Sequence, residues 1–266
     1  MQTNFYPGKY IMLEGGEGCG KTTQAPLLAD KLAGAGIEVF AVKEPDAGNI
    51  FGKLAHAIYA CGSDYSGLPE KIAECVSSPR YEFVKAAAAE AGRVHIEHLE
   101  EIMREARGGG YQSVPMLLQL SMIFSRLELL ISVVIPKLKA GVCVISDRGF
   151  LSTLVYGFMD GLDWRKLLEF HEYVLGENFI VPDLTFLFDI SPEEGLRRTL
   201  QKQHGVKERH DNLEILRKVQ EAYATISRES LIKDRVNIIK IDGARSVNEV
   251  HAGIWAAARK LTAPPG

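Results

Sequence analysis

Tyr10-Ile11-Met12-Leu13-Glu14-Gly15-Gly16-Glu17-Gly18-Cys19-Gly20-Lys21-Thr22-Thr23-Gln24 decides how the rest of the chain is read. Tyr10 to Glu14 is a short apolar run that stops at glycines, as a buried parallel strand does. From Lys21 to Leu32 the residues Ala25, Leu28, Ala29 and Leu32 fall on one helical side, and Gly34 and Gly36 end the pattern. Between the two, Gly15, Gly20, Lys21 and Thr22 satisfy G-x-x-x-x-G-K-[ST]. Glycines let the backbone curl so that consecutive N–H groups point at phosphate oxygens, and the following helix adds the positive end of its dipole. Lys21 would reach the β- and γ-phosphates of a nucleoside triphosphate, and the Thr22 hydroxyl would ligate Mg²⁺. A chance glycine-rich turn is the competing explanation, and the strand–loop–helix setting disfavours it.

Outward from this loop, apolar runs at Glu38–Val42, Val142–Ser146, Leu184–Ile190 and Val236–Ile241 read as further strands, with helical stretches between them and a closing helix over Val247–Leu261. Strands alternating with helices predict a three-layer α/β/α domain with a five-stranded parallel sheet. The 266 residues suit one domain, 1–266, carrying an insertion at about 60–114. Within it, Gly62 to Pro79 reads as irregular connection. Tyr81 to Arg107, rich in alanine and glutamate, reads as one long helix ending at Gly108-Gly109-Gly110. The tail Ala263-Pro264-Pro265-Gly266 is expected to fray.

A hydrophobic content of 46% and a mean hydropathy of -0.02 describe an ordinary globular protein. The net charge of -3 gives no ground for polymeric nucleic acid or an anionic membrane as partner. Val114 to Pro136 is the most apolar stretch, but Gln119, Arg126 and Glu128 break it, so a buried helix is expected rather than a span. Its stripe Leu117, Leu120, Ile123, Leu127, Leu130 and Val134 fits core or dimer packing. Cys19, Cys61, Cys75 and Cys143 form no C-x-x-C pair, and free thiols in a reducing cytosol are expected. Met1 to Lys9 carries no signal pattern, which again fits a cytoplasmic protein. His95-x-x-His98 with Glu101 could suggest a metal, though a solvated acidic helix face explains it more simply.

The phosphate loop alone does not name a reaction. No N/T-K-x-D guanine signature is present, which disfavours a GTPase and leaves a small-molecule kinase as the best class. Asp147-Arg148 follows the third strand, where a ligand crevice opens at the carboxyl ends of a parallel sheet. An aspartate there can join a magnesium shell, and an arginine can clamp an acceptor phosphate; a helix cap beside a surface arginine is the plainer alternative. Glu44-Pro45 ends the second strand in the same crevice.

With these motifs taken together, the chain resembles the thymidylate kinase family, which moves a phosphoryl group from ATP to dTMP. Glu14 to Gln24 is similar to that family's phosphate loop, and Lys43-Glu44-Pro45 to its Arg-Glu-Pro. Ser125-Arg126 falls on the acceptor-binding helix, and Asp147-Arg148-x-x-x-Ser152-Thr153-x-x-Tyr156 resembles the Asp-Arg signature. Pro182 to Asp189 is similar to the strand before the lid. The resemblance implies that Gly15, Gly16, Gly18, Cys19, Gly20, Lys21, Thr22 and Thr23 bind ATP. It implies that Lys43, Glu44, Pro45, Arg126, Arg148, Ser152 and Tyr156 meet the acceptor, with Arg126 and Arg148 chiefly on its phosphate. Lys21, Glu17, Asp147, Arg148 and Arg209 become the catalytic set, and Thr22 and Asp147 the magnesium ligands. A lid at about 197–212 would hold Arg197, Arg198, Lys202, Lys207 and Arg209, with Arg209 matching the lid pattern best. A homodimer is implied by the resemblance alone. Catalysis then needs no protein base, because the acceptor phosphate is already an anion.

The chain departs from the family at Lys43 for arginine, Asp46 for glycine, Glu128 for an uncharged residue near the thymine, and Gly157 for glutamine. The stretch from Pro45 to Arg126 is also longer than the family's. A modified pyrimidine deoxynucleotide is therefore an alternative acceptor. Two other readings stay open: a deoxynucleoside kinase with Glu44 as base, and a nucleotide-binding regulator without catalysis.

Overall fold

The computed structural model of the chain describes residues 1–62, 64–90, 96–202 and 212–262. In chain order its first half comprises β1 (Gln2–Thr3), β2 (Tyr10–Gly15), α1 (Lys21–Gly34), β3 (Val39–Lys43), α2 (Ile50–Cys61), α3 (Leu68–Val76), α4 (Pro79–Glu90), α5 (Ile96–Arg107), α6 (Val114–Leu129) and α7 (Ile135–Lys139). There follow β4 (Cys143–Asp147), α8 (Phe150–Met159), α9 (Trp164–Leu175), β5 (Ile180–Val181) and β6 (Leu184–Asp189). The remainder is α10 (Pro192–Lys202), α11 (Leu213–Ile226), α12 (Ser230–Lys233), β7 (Ile238–Asp242) and α13 (Val247–Thr262).

Five strands form one parallel sheet in the order β3-β4-β2-β6-β7, as the alternation of strands and helices predicts. Successive side chains of a strand face opposite ways. Tyr10 and Met12 accordingly join the core under α2 to α9, while Ile11 and Leu13 join the core under α1 and α13. Val144 and Ile145 divide in the same way on β4. The strands are apolar on both sides because helices cover both faces. β1 and β5 make a separate parallel pair that the sequence reading does not include.

Between β3 and β4 the structure corrects two expectations. Residues 68–76 are helical, not irregular, and bury Leu68, Ile72 and Cys75 on one face. Pro69 lies in the first turn of α3, where a missing N–H costs nothing. The expected single helix over 81–107 is two segments, α4 and α5, with 91–95 outside the described residues. Glu100 accepts hydrogen bonds from the Tyr81 hydroxyl at 3.3 Å and from Lys85 Nζ at 2.7 Å. In one straight helix, Lys85 and Glu100 would stand roughly 22 Å apart. The chain therefore folds back on itself.

α3, α4 and α5 lie against α2 and α6 and cover their apolar sides, with the Phe51 ring stacked on Phe124 at 5.2 Å and tilted on Tyr81 at 5.8 Å. The stripe on α6 is thus packed by its own chain. Among the described residues, Tyr111–Lys139 is the helix with the length and hydropathy to cross a membrane, and 78% of its most apolar window is buried inside the fold.

Candidate active site

The strand–loop–helix stretch folds as its glycines require. Gly18 has φ 70°, and a Cβ there would stand 2.2 Å from the Gly195 carbonyl oxygen on α10, so only glycine lets helix and loop approach this closely. Lys21, almost wholly buried, sends Nζ back across the loop to the carbonyl oxygens of Gly15 and Gly16, each at 2.8 Å, with Cys19 Sγ at 3.3 Å. Thr22 opens α1, and its hydroxyl donates to Asp147 Oδ2 at 2.9 Å. β2 and β4 are neighbours with Leu13 opposite Asp147, which is why residues 125 positions apart meet. Asp147 Oδ1 is buried with no partner among the described residues.

Arg148 adopts φ 77°, a left-handed conformation that costs a non-glycine residue about 1 kcal/mol or more. It is held there by its N–H on the Leu13 carbonyl at 2.9 Å and by the Ser146 hydroxyl donating to its own carbonyl at 2.6 Å. The turn aims its guanidinium back over the phosphate loop. Nη1 reaches the Gly15 carbonyl and the Ser152 hydroxyl, both at 3.3 Å, and Nη2 pairs with Glu17. The Tyr156 ring lies 5.5 Å from this cation, and its hydroxyl donates to Glu17 at 3.4 Å. Burial pushes the Tyr156 hydroxyl above its ordinary range.

Beneath this layer lies Glu14, fully buried. Its Oε1 accepts the Ser152 N–H at 3.2 Å, and its Oε2 accepts the hydroxyls of Ser152 at 2.6 Å and Tyr223 at 2.9 Å. The carboxylate ties β2, α8 and α11 together at the base of the loop.

A second buried cluster forms around Arg126 on α6. Its Nη2 lies 2.6 Å from Glu44 Oε2 and donates to the Thr153 hydroxyl at 3.2 Å, while Nη1 meets His171 Nε2 at 2.6 Å. Arg126 Nε and Glu44 Oε1 have no partner among the described residues. Burial raises the Glu44 carboxyl above its ordinary range, against the lowering effect of Arg126. Asn49 caps α2 by accepting the Gly52 N–H at 2.6 Å and donates to the Ser125 carbonyl at 3.0 Å, which seats α2 beside this part of α6.

Of the residues singled out in the sequence, Gly15 to Thr23, Asp147, Arg148, Ser152 and Tyr156 meet in one place, and Glu44 with Arg126 in the adjoining cluster. Lys43 is exposed at the end of β3, and Pro45 follows Glu44 across a cis peptide bond. Glu128 faces away from Arg126: its Oε1 is 3.8 Å from Arg80 Nε, and its Oε2 is buried with no partner among the described residues. At Gly157 a Cβ would meet Leu167 Cδ1 at 2.2 Å, so glycine is what lets α9 pack on α8. Arg197 and Arg198 both pair with Glu194, at 2.5 and 2.7 Å, and Arg198 also donates to the Gly243 carbonyl. Lys207, Arg209 and the side chain of Lys202 lie outside the described residues, as does His95. His98 stacks on Phe170 at 5.9 Å and is half-exposed.

Glu14, Thr153, His171 and Tyr223 belong to these clusters without standing out as site residues in the sequence. His171 left one trace: it interrupts the apolar stripe Trp164, Leu167, Leu168, Val174 and Leu175 of α9. A histidine at a core position needs a hydrogen-bond partner.

A family model described as "Thymidylate kinase" matches residues 13–89 and 98–254. A "Probable thymidylate kinase" from Thermococcus kodakarensis is 30% identical, aligned over 82% of this chain and 83% of its own length. One of the same description from Pyrococcus horikoshii is 30% identical over 94% and 95% respectively. A "Thymidylate kinase" from Carboxydothermus hydrogenoformans is 29% identical over 91% and 93%.

Proposed function

This chain belongs to the thymidylate kinase family, and from that premise we infer that it is an ATP-dependent nucleoside monophosphate kinase converting dTMP to dTDP. The observation that carries the reading is the position of Arg148. Its guanidinium bridges the phosphate loop at Gly15 and the helix bearing Ser152, the two places where donor and acceptor would meet.

In this reading Gly15, Gly16, Gly18, Cys19, Gly20, Thr22 and Thr23 hold the ATP phosphates, and Lys21 turns from its backbone partners to the β- and γ-phosphates. Lys43, Glu44, Pro45, Arg126, Arg148, Ser152 and Tyr156 receive the monophosphate. The donor set fits Mg²⁺: Thr22 offers a hydroxyl, and Asp147 offers a buried carboxylate oxygen with no partner among the described residues. When bound there, the ion would neutralise charge on the phosphates. Arg148 and Lys21 align the two phosphate groups, and Glu17 positions Arg148 and Tyr156. The acceptor phosphate oxygen attacks the γ-phosphorus in line, and the bond to the ADP oxygen breaks. Glu44 is ion-paired to Arg126, so it is poorly placed to act as the free base that a nucleoside hydroxyl would need.

The same reading takes residues 1–266 as one kinase domain with a helical insertion at about 60–114 and a lid at about 197–212. Arg209 would close over the ATP phosphates, and two copies would form a homodimer. An ADP-coupled assay across dTMP, dUMP, dCMP, UMP and thymidine, with Lys21→Ala as control, tests the acceptor. dTMP is expected to be turned over best, and turnover of thymidine in its place would overturn the assignment. Sedimentation of the full chain tests the dimer, which is expected at twice the 29.4 kDa of one chain.

A further inference from the structure

The Arg126 guanidinium is gripped from three elements: Glu44 at the end of β3, Thr153 on α8 and His171 on α9. Glu44 supplies the opposite charge at 2.6 Å, but it and the Thr153 hydroxyl at 3.2 Å both meet Nη2, which leaves the Nη1 side of the guanidinium free to swing. His171 removes that freedom. Its Nδ1 lies 2.7 Å from the Leu167 carbonyl oxygen one turn earlier in α9. A carbonyl can only accept, so Nδ1 carries the proton. A neutral imidazole has one N–H, so Nε2 presents a lone pair, and 2.6 Å away is Arg126 Nη1, which can only donate. The ring is fully buried, stacked on Phe179 at 5.7 Å and edge-on to Phe150 at 6.3 Å, so it cannot rotate out of the pair. Burial and the neighbouring guanidinium hold the imidazole well below its ordinary range, in keeping with a neutral ring.

We infer that His171 is a positioning residue for the acceptor nucleotide: as the neutral Nδ1–H tautomer it accepts from Arg126 and fixes the plane in which the guanidinium meets the substrate. This rests on the reading of Arg126 as an acceptor-binding residue. His171 touches no reacting atom. It acts through Arg126 alone.

His171→Phe keeps the ring volume and loses the acceptor, whereas His171→Gln keeps an oxygen near the place of Nε2. Steady-state kinetics of the full chain with dTMP and ATP separates a positioning role from a packing role. His171→Phe is expected to raise KM for dTMP about tenfold, the size of one hydrogen bond to a charged group, with KM for ATP unchanged. His171→Gln should recover most of that loss. An unaltered KM for dTMP in His171→Phe, or equal rises in both KM values, or no recovery with His171→Gln, overturns the proposal. Should the phenylalanine variant fail to fold, ¹⁵N spectra of the wild-type imidazoles decide the matter: an Nδ1–H ring with bare Nε2 supports it, and an Nε2–H ring or an imidazolium sinks it. Failure of the wild-type chain to use dTMP would strike the underlying acceptor reading instead, so the two failures are told apart.

Discussion

The two halves of the crevice are built from different material. The proposed donor half is backbone: loop carbonyls hold Lys21, and glycines shape a curl that is local in sequence. The proposed acceptor half is side chain: Arg126, Glu44, Thr153 and His171 come from four separate elements and hold one another in the dark of the core, with Arg126 Nε and Glu44 Oε1 left without a partner among the described residues. A backbone site tolerates change around it so long as its glycines stay. A side-chain site depends on every partner, because a buried polar group left alone bears its full desolvation cost. The first should therefore fail in catalysis, and the second in stability as well.

The largest expected effect breaks the donor half. Lys21→Ala should lower kcat roughly hundredfold to thousandfold, by loss of a charge on the transferring phosphates. Its thermal midpoint should stay near that of wild type, since the lost bonds go only to loop atoms; a large drop would contradict the contrast drawn above. Arg126→Leu comes next and should destabilise the fold by about 3 kcal/mol at pH 8, as removal of one member of a buried ion pair does. Its sign with pH can be worked out. The Glu44 carboxyl already lies above its ordinary range through burial, and losing Arg126 removes what opposes that rise. A carboxyl raised in the folded state favours folding below its unfolded pKa, and that contribution is lost as pH rises through the folded value. The penalty should therefore shrink at pH 5, and urea unfolding at the two pH values checks it. Equal penalties would mean Glu44 keeps its charge without Arg126.

Tyr223→Phe probes the join between the halves. Glu14 would keep the Ser152 hydroxyl and lose one donor, for a cost of about 1 kcal/mol and a midpoint lower by ~2–4 °C. The smallest effect is a gain. Burial raises the Glu128 carboxyl, with Arg80 working against it, so the charged form is disfavoured in the fold. Glu128→Gln should stabilise by about 0.5 kcal/mol at pH 8 and by nothing near pH 4. Because Glu128 points at Arg80, KM for dTMP should not move; a shift would bring Glu128 back to the acceptor.

How much of this is legible in the sequence follows the same division. The loop from Gly15 to Thr22, the five strands to within two residues, and Asp147-Arg148 can all be read because their signals are contiguous. The helical cover between β3 and β4 cannot be read so well. Pro69 looks like a loop residue and is in fact a first-turn residue of α3. The alanine-rich run around Ala86 to Ala89 keeps helical propensity high right up to the place where the chain reverses, and only tertiary partners such as Glu100 reveal the reversal. His171 looks like a core histidine until Arg126, 45 residues earlier, is seen beside it. Pairings at such separation leave no periodicity to find.

The reversal of α4 and α5 also limits how the gene could be shortened. These helices and α3 look like a removable excursion between two sheet strands. They are the lining that keeps Phe51, Leu54, Ile58, Leu117 and Phe124 from water. Excising them to make a minimal enzyme would leave a greasy wall of several side chains on the surface, of the kind that drives proteins to associate. A trimmed gene would therefore yield inclusion bodies, and any compact descendant must first rewrite the outer faces of α2 and α6 in polar residues.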